Sequence, residues 1–274
     1  MSEALPEKKA AFKPFGKDFD TLYCYESRGH QEATARLQLM IEQRYLGVLT
    51  GEVGSGKSTL IRKLFAGLDT MRYQSIYLSK AKLTPRDFYG SLLGFMGVEA
   101  PFSVTKARHL WEEALQSRIA GADRTLVVVI DEAQELSEAM MLELRFVLSY
   151  NMDSCALFPL ILVGQPELRK QLRLKKYEAT IQRIGLQYHL GGMAKEETYA
   201  YIRHHMKSSE TEFPVFAESA MQRIHTASQG IPRVTNQICT QALLGSAGKG
   251  SEVIEESHIA RVLADLERQR GGTS

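Results

Sequence analysis

An eight-residue run, Gly51-Glu52-Val53-Gly54-Ser55-Gly56-Lys57-Ser58, constrains this chain more than any other feature. It matches the pattern G-x-x-x-x-G-K-[ST] at each required position, with a strand pattern before it and a helical pattern after it. Glycines let a backbone wrap around an anion with its N–H groups pointing inward, and a helix N-terminus favours negative charge. The run therefore predicts a phosphate-binding loop; a strand–turn–helix with chance glycines is the alternative.

We expect this P-loop to bind a nucleoside triphosphate, ATP, together with Mg²⁺. Lys57 is placed to reach the β- and γ-phosphates, and the Ser58 hydroxyl is available to the metal. The chain has no Asn-Lys-x-Asp motif for guanine, which favours ATP over GTP. The residues predicted to contact the nucleotide are Gly51, Glu52, Val53, Gly54, Ser55, Gly56, Lys57, Ser58 and Thr59.

Apolar strand patterns alternate with helical ones along the first two thirds of the chain, which predicts a mostly parallel α/β sheet with helices on both faces. The predicted strands are 45–50, 75–78, 125–130, 158–163 and 185–190. After about residue 192 the patterns are helical only, so a small all-helical domain is expected there. The expected organisation is an N-terminal extension (1–28), a three-layer αβα P-loop NTPase domain (29–192) and a helical lid (193–270).

Two acids follow the third predicted strand, at Asp131 and Glu132. A buried strand that ends in an acid places the carboxylate at the carboxyl edge of the sheet, beside the phosphate loop. Asp131 is expected to hold Mg²⁺ through water, and Glu132 to polarise the attacking water as a general base. The pair predicts hydrolysis of the nucleotide; a solvated loop start is the plainer interpretation.

Three further polar residues are candidates for the same reaction. Gln165 follows the fourth strand and would orient the water or sense the γ-phosphate, unless Gly164 and Pro166 merely form a turn. Arg183 precedes the fifth strand, where an arginine can reach a neighbouring subunit's site as a finger, unless it is a surface residue. Arg233 opens a helix of the predicted lid, where it can fold back on the γ-phosphate.

Composition and charge exclude some classes of protein. A net charge of +2 over 274 residues allows a polyanion-binding surface only as a local patch. No apolar run is long enough to cross a membrane, and the polar first 13 residues do not resemble a signal peptide. The three cysteines lie far apart without metal-ligand spacing. These features predict a cytoplasmic protein without direct membrane insertion.

These motifs together resemble the AAA+ superfamily and, within it, the ExeA-like ATPases. The resemblance covers residues 12–266. It is carried by Lys13-Pro14-Phe15, Leu49 to Ser58, Ile130 to Leu136, Leu162 to Leu168, Gln182 to Ile184, and Ser228 to Val234.

The resemblance implies one of two roles. ExeA itself is a secretion-pathway ATPase with a transmembrane helix and a peptidoglycan-binding domain. Transposition ATPases such as TnsC, MuB and IstB assemble on DNA with ATP and direct a transposase to its target. Because this chain ends soon after the lid and has no membrane segment, the second role is expected, with a transposase and a target-selection protein as partners. The alternatives are an ExeA-like secretion or envelope-assembly ATPase acting on a protein partner, and a pure nucleotide switch.

The same resemblance places a DNA-contacting loop after the second strand, in a ring or helical filament of subunits around duplex DNA. This loop has the basic residues that such contacts require, at Lys80, Lys82 and Arg86. They would bind the DNA backbone without sequence preference. A solvated basic loop is the alternative. A second basic cluster, at Arg169, Lys170, Arg173, Lys175 and Lys176, would meet DNA, a neighbouring subunit or only water.

Overall fold

The computed structural model describes residues 14–16, 24–147, 156–207, 215–246, 253–269 and 271. Their contacts divide into two compact units. A sheet unit comprises His30–Val53 and Lys57–Leu190, and a helical unit comprises the described residues of 14–29 and 191–271 together with Gly54–Gly56. The domain limits expected from the sequence, 29–192 and 193–270, stay a prediction.

Five parallel strands form the sheet. They are β1 (Leu46–Gly51), β2 (Tyr73–Leu78), β3 (Thr125–Ile130), β4 (Leu160–Gly164) and β5 (Ile184–Leu190), and their order is β2-β3-β4-β1-β5. Each lies where the sequence predicts it: β3 has the predicted bounds, and the ends of the other strands differ by at most two residues. Because β4 lies between β3 and β1, the segments that follow these three strands meet at one edge of the sheet.

Both faces of the sheet are covered by helices, which confirms the predicted three-layer αβα architecture. Alternate residues of a strand enter different cores: Leu126 and Val128 pack into one, Val127 and Val129 into the other. The helices of this unit are α1 (Arg28–Glu42), α2 (Lys57–Ala66), α3 (Pro85–Phe95), α4 (Val104–Ala120), α5 (Glu138–Val147), α6 (Pro166–Leu172) and α7 (Glu178–Ile181). Helices α1 and α2 cover the Val127 face, and α3 to α6 cover the Leu126 face.

A buried polar cluster joins three of these helices. The Arg108 guanidinium of α4 forms a bidentate pair with Glu143 of α5, with Nε–Oε1 and Nη2–Oε2 distances of 2.7 and 2.8 Å. The Tyr89 hydroxyl of α3 donates to the same Glu143 Oε1 at 2.7 Å. Since the Glu143 side chain is only 8% exposed, these donors compensate a carboxylate that has lost its water.

The helical unit contains α8 (Lys195–Lys207), α9 (Glu218–Ser228), α10 (Pro232–Ser246) and α11 (Glu256–Gln269). The expectation that no strand follows residue 192 is wrong in one detail, because β6 (Val215–Phe216) pairs in parallel with β7 (Val253–Ile254). Two-residue strands have no alternating pattern to read. Phe15, from the expected N-terminal extension, packs in this core against His205 and Phe216.

In the part of the chain that the structure describes, no helix combines the length and apolarity needed to cross a bilayer.

Candidate functional site

The glycine-rich loop runs from the end of β1 at Gly51 to the start of α2 at Lys57, as the sequence predicts. Gly54 and Gly56 have φ angles of +86° and +100°, a conformation that other residues rarely adopt. Within the helical unit, a Cβ on Gly54 would lie 2.4 Å from Arg233 Cβ. Gly54 O also accepts a hydrogen bond from Arg233 N at 3.2 Å. The glycine at position 54 is therefore required twice, by its φ angle and by this close approach.

The polar side chains of the loop fit an anion. The Lys57 ammonium folds over the loop and donates to Gly51 O at 2.7 Å and to Glu52 O at 3.0 Å. Ser55 Oγ is one of the few buried side-chain atoms in the described residues with no hydrogen-bond partner. A buried hydroxyl without a partner is costly, and a phosphate oxygen would satisfy it. Ser58 is exposed, so its hydroxyl is free to face a metal.

Asp131 directly follows β3 and is 7% exposed. Its Oδ1 accepts from Glu132 N at 2.8 Å, and its Oδ2 accepts from the Tyr77 hydroxyl of β2. Burial, followed by the bond to Asp131, raises the pKa of Tyr77 well above its ordinary value, so Tyr77 remains a hydroxyl donor at working pH. Sequence reasoning assigned Tyr77 no role; a hydroxyl-bearing aromatic near the end of the second strand was the available signal.

Glu132 and Gln165 lie together, as their placement after neighbouring strands predicts. Gln165 Nε2 lies 3.4 Å from Glu132 Oε2. A third residue, Gln134, contacts both: its Nε2 lies 2.6 Å from Glu132 Oε2, and its Oε1 accepts from Gln165 N at 3.0 Å. Sequence reasoning did not identify Gln134, although it lies two residues after Glu132.

The two candidate arginines differ in their surroundings. Arg183 is partly buried, immediately before β5, and its Nη1 donates to Ala179 O at 2.7 Å. In the helical unit, the exposed Arg233 lies in the first turn of α10. The roles of both arginines, as finger and as γ-phosphate contact, stay predictions.

The predicted DNA-binding residues lie between β2 and the first turn of α3, and all three are exposed. Lys80 pairs with Asp87 at 2.7 Å, so its charge is partly matched inside the protein. Lys82 has a left-handed φ of 52°. The Arg86 guanidinium lies 4.6 Å from the ring centroid of Phe102, which is 84% exposed. Lys82 and Arg86 are therefore the more available cations of the three.

The candidate metal ligands are too few to bind a metal ion without further ligands from a nucleotide and water. No group of three or more His, Cys, Asp and Glu residues in the described parts of the chain could hold a metal ion by itself. Mg²⁺ commonly takes one or two protein oxygens and completes its shell with phosphate oxygens and water. The hydroxyl of Ser58 and the carboxylate of Asp131 are oxygen ligands of this kind, so the residue types fit Mg²⁺ bound with a nucleotide, and their role as its ligands stays a prediction.

Comparisons with known proteins agree with this geometry. Residues 40–172 match the family described as "AAA domain". The match spans slightly less than half of the chain and makes this stretch similar to an AAA domain. The AAA domain is an ATPase module that binds ATP with Mg²⁺, and it has the P-loop AAA+ fold described above.

Among curated proteins, the chain is 31% identical over 251 residues to "General secretion pathway protein A" of Aeromonas hydrophila. That alignment covers 90% of this chain and 45% of the relative, so the chain spans less than half of the relative's length.

Solved structures share the fold. Cdc6p of Pyrobaculum aerophilum matches with a TM-score of 0.64 and 14% identity, over 95% of this chain and 73% of that one. Aeropyrum pernix ORC1, solved in complex with DNA, matches with a TM-score of 0.62 and 15% identity, over 90% and 67%. At these identities the likeness shows the fold alone.

Proposed function

We propose that this chain is an ATPase that oligomerises on double-stranded DNA, without sequence preference, and regulates DNA transposition by recruiting a transposase. A target-selection protein and a cytoplasmic location belong to the same proposal. The main structural support is the connection between the proposed metal site and the proposed DNA-binding segment. Strand β2 bears Tyr77, which is bonded to Asp131, and three residues after Tyr77 begins segment 80–86, whose three basic side chains are exposed. A change at the metal-binding carboxylate therefore has a short path to the DNA-binding segment.

The chemistry of this segment favours a phosphate backbone as its target. Lysine and arginine contacts to phosphates give sequence-independent binding that weakens steeply with salt. Lys82 and Arg86 are exposed, whereas Lys80 must first leave Asp87. The resemblance of the chain's motifs to transposition ATPases supports the further step from DNA binding to transposase recruitment.

In the proposed mechanism the chain's own residues bind and orient the nucleotide. The loop and Lys57 would hold the phosphates, and Ser58 and Asp131 would hold Mg²⁺. Gln165 would position the attacking water and Glu132 would polarise it. The metal would neutralise charge on the phosphates. Arg183 is proposed to act on the nucleotide of a neighbouring subunit in a ring or helical filament, so that ATP binding stabilises the assembly and hydrolysis dismantles it.

Anisotropy of a labelled random-sequence duplex, with a non-hydrolysable ATP analogue and a salt series, tests DNA binding. Lys82→Ala with Arg86→Ala should lower affinity and reduce the slope of log K against log salt by about two, at roughly 0.9 per phosphate contact. Both substitutions leave the nucleotide residues in place. Arg203→Ala with Arg223→Ala, which removes two exposed charges from α8 and α9, is the matched control. Equal binding by both double variants would refute the assigned surface.

A second variant tests the hydrolysis step. Glu132→Gln should keep nucleotide and DNA binding while ATP turnover falls about a hundredfold or more, the usual contribution of a general base. The ATP-bound assembly should then persist on DNA in electron micrographs. Unchanged turnover would remove Glu132 from its assigned role.

The secretion relative favours a second candidate function. An identity of 31% over 90% of the chain supports an ATPase that assembles a secretion or envelope structure by acting on a protein partner. This candidate predicts ATP turnover that duplex DNA does not stimulate, and co-purification with membranes through that partner. If these results were obtained and the protein did not bind DNA, the secretion function would replace the transposition proposal.

A further inference from the structure

Gln134, in the short 3-10 turn Ala133–Glu135, joins the two residues proposed to handle the attacking water. Its amide accepts from the Gln165 backbone N–H at 3.0 Å and donates to Glu132 Oε2 at 2.6 Å. The orientation of the amide is fixed, because a backbone N–H can only donate and must face the amide oxygen. The NH₂ group of Gln134 is thereby directed at the Glu132 carboxylate.

The position of the Gln134 side chain depends on Gly164. A Cβ at position 164 would lie 2.7 Å from Gln134 Oε1 and 3.1 Å from Leu168 Cδ2. A glycine at the end of β4 therefore leaves the space that the amide occupies. The turn is also anchored from α6, where Gln171 Nε2 donates to Gln134 O at 2.9 Å. Gln134 is thus held by the end of β4 and by α6.

Glu132 needs an external constraint on its side chain. Its backbone is left-handed, with φ 50° and ψ 40°, and its side chain is exposed. An exposed carboxylate samples several rotamers, and only some of them point at a given water. Of the two glutamine amides beside the carboxylate, Gln134 makes the shorter contact, 2.6 Å against 3.4 Å for Gln165.

We propose that Gln134 is a positioning residue that holds the Glu132 carboxylate against the end of β4, beside Gln165. It acts through Glu132, to which its amide donates. This inference rests on the proposed role of Glu132 in hydrolysis. Removing the amide should lower kcat and leave nucleotide affinity unchanged, because the phosphate loop lies on a different segment. Since Gln165 N also loses its acceptor, Tm should drop by about 2–4 °C.

Steady-state ATP turnover, equilibrium binding of a fluorescent ATP analogue and thermal unfolding test this with Gln134→Leu. We expect kcat to fall about tenfold to a hundredfold, the usual cost of a misplaced reacting group, with an unchanged Kd and only the small drop in Tm stated above. Gln134→Glu replaces the donor by a second carboxylate, so its kcat should fall at least as far. Gln187→Leu, on the exposed side of β5, is the matched control and should behave like the unmodified chain.

A double-mutant cycle separates positioning from a general structural role. If Gln134 acts only through Glu132, adding Gln134→Leu to Glu132→Gln should cause no further loss of turnover. An additional loss of turnover, or a rise in Kd or a drop in Tm large enough to account for the fall in kcat, would overturn the inference. If Glu132→Gln is impaired while Gln134→Leu is not, only the positioning role fails. If Glu132→Gln hydrolyses ATP at the normal rate, the proposed role of Glu132 in hydrolysis is wrong, and the positioning role of Gln134 is wrong with it.

Discussion

The Tyr77 hydroxyl of β2 donates a hydrogen bond to Oδ2 of Asp131, the carboxylate at the end of the neighbouring strand β3. The parallel register, which pairs Tyr77 with Val129, brings the ring within reach of that carboxylate. Glu132 N donates to the other oxygen, Oδ1, at 2.8 Å. Both carboxylate oxygens are therefore held by protein donors, and one of these donors, Tyr77, lies outside the motifs recognised in the sequence.

Tyr77→Phe should raise the Mg²⁺ concentration needed for half-maximal ATP turnover. The substitution removes one donor, so Asp131 loses part of its fixed orientation, and supporting partners of metal ligands typically contribute tenfold or more in affinity. We expect a shift of about tenfold. Mg²⁺ titrations of turnover and of nucleotide binding measure it. Tyr73→Phe, at the start of the same strand, is the control, and identical titrations for both variants would contradict a role for Tyr77.

The phosphate loop and the acids were predictable from the sequence because each is a contiguous motif with a local physical reason. The contacts of Tyr77 and Gln134 were not, because they depend on which strands become neighbours. Order β2-β3-β4 places Tyr77 beside Asp131 and the end of β4 beside Gln134. A linear pattern gives the strands but not their register. The left-handed backbone at Glu132, which sets the direction of its side chain, also carries no sequence signature at a non-glycine residue.

Lys57→Ala should abolish most nucleotide binding. The ammonium lies over the loop, bonded to the carbonyls of Gly51 and Glu52, and a phosphate would meet the same charge. Hydrogen bonds to charged groups contribute about 1.5–3 kcal/mol, so we expect affinity to fall roughly tenfold to a hundredfold. Isothermal titration with ATP and Mg²⁺ measures the change. Lys63→Ala, six residues further along α2, is the control. Equal affinities for the two variants would contradict the assigned nucleotide site.

Arg108→Met should destabilise the sheet unit by about 3 kcal/mol, because it leaves the buried Glu143 carboxylate without its cation. Tyr89→Phe removes one hydrogen bond from the same carboxylate and should cost about 1 kcal/mol. Urea unfolding followed by fluorescence of the buried Trp111 in α4 reports on this unit.

The ion pair between Arg36 and Glu32 provides the comparison. Both side chains are about half exposed on α1, so Arg36→Met should cost only about 0.3–0.5 kcal/mol. If Arg108→Met proved no more destabilising than Arg36→Met, the buried cluster would not hold α3, α4 and α5 together.

The helical unit should lose stability as the pH falls from about 6.5 towards 4. His205 packs against Phe15 and Tyr201, and burial, aided by His204, lowers its pKa to about 4. The unfolded chain therefore binds a proton at a higher pH than the folded one. The stability linked to His205 is complete above about pH 6.5 and is lost progressively below it, by at most about 1.4 kcal/mol per pH unit. His205→Phe should flatten this dependence, measured by amide hydrogen exchange in α8 between pH 4 and 7. His109→Gln, at an exposed position, should keep the slope of the unmodified chain; an equal slope in His205→Phe would show that other groups cause the acid sensitivity.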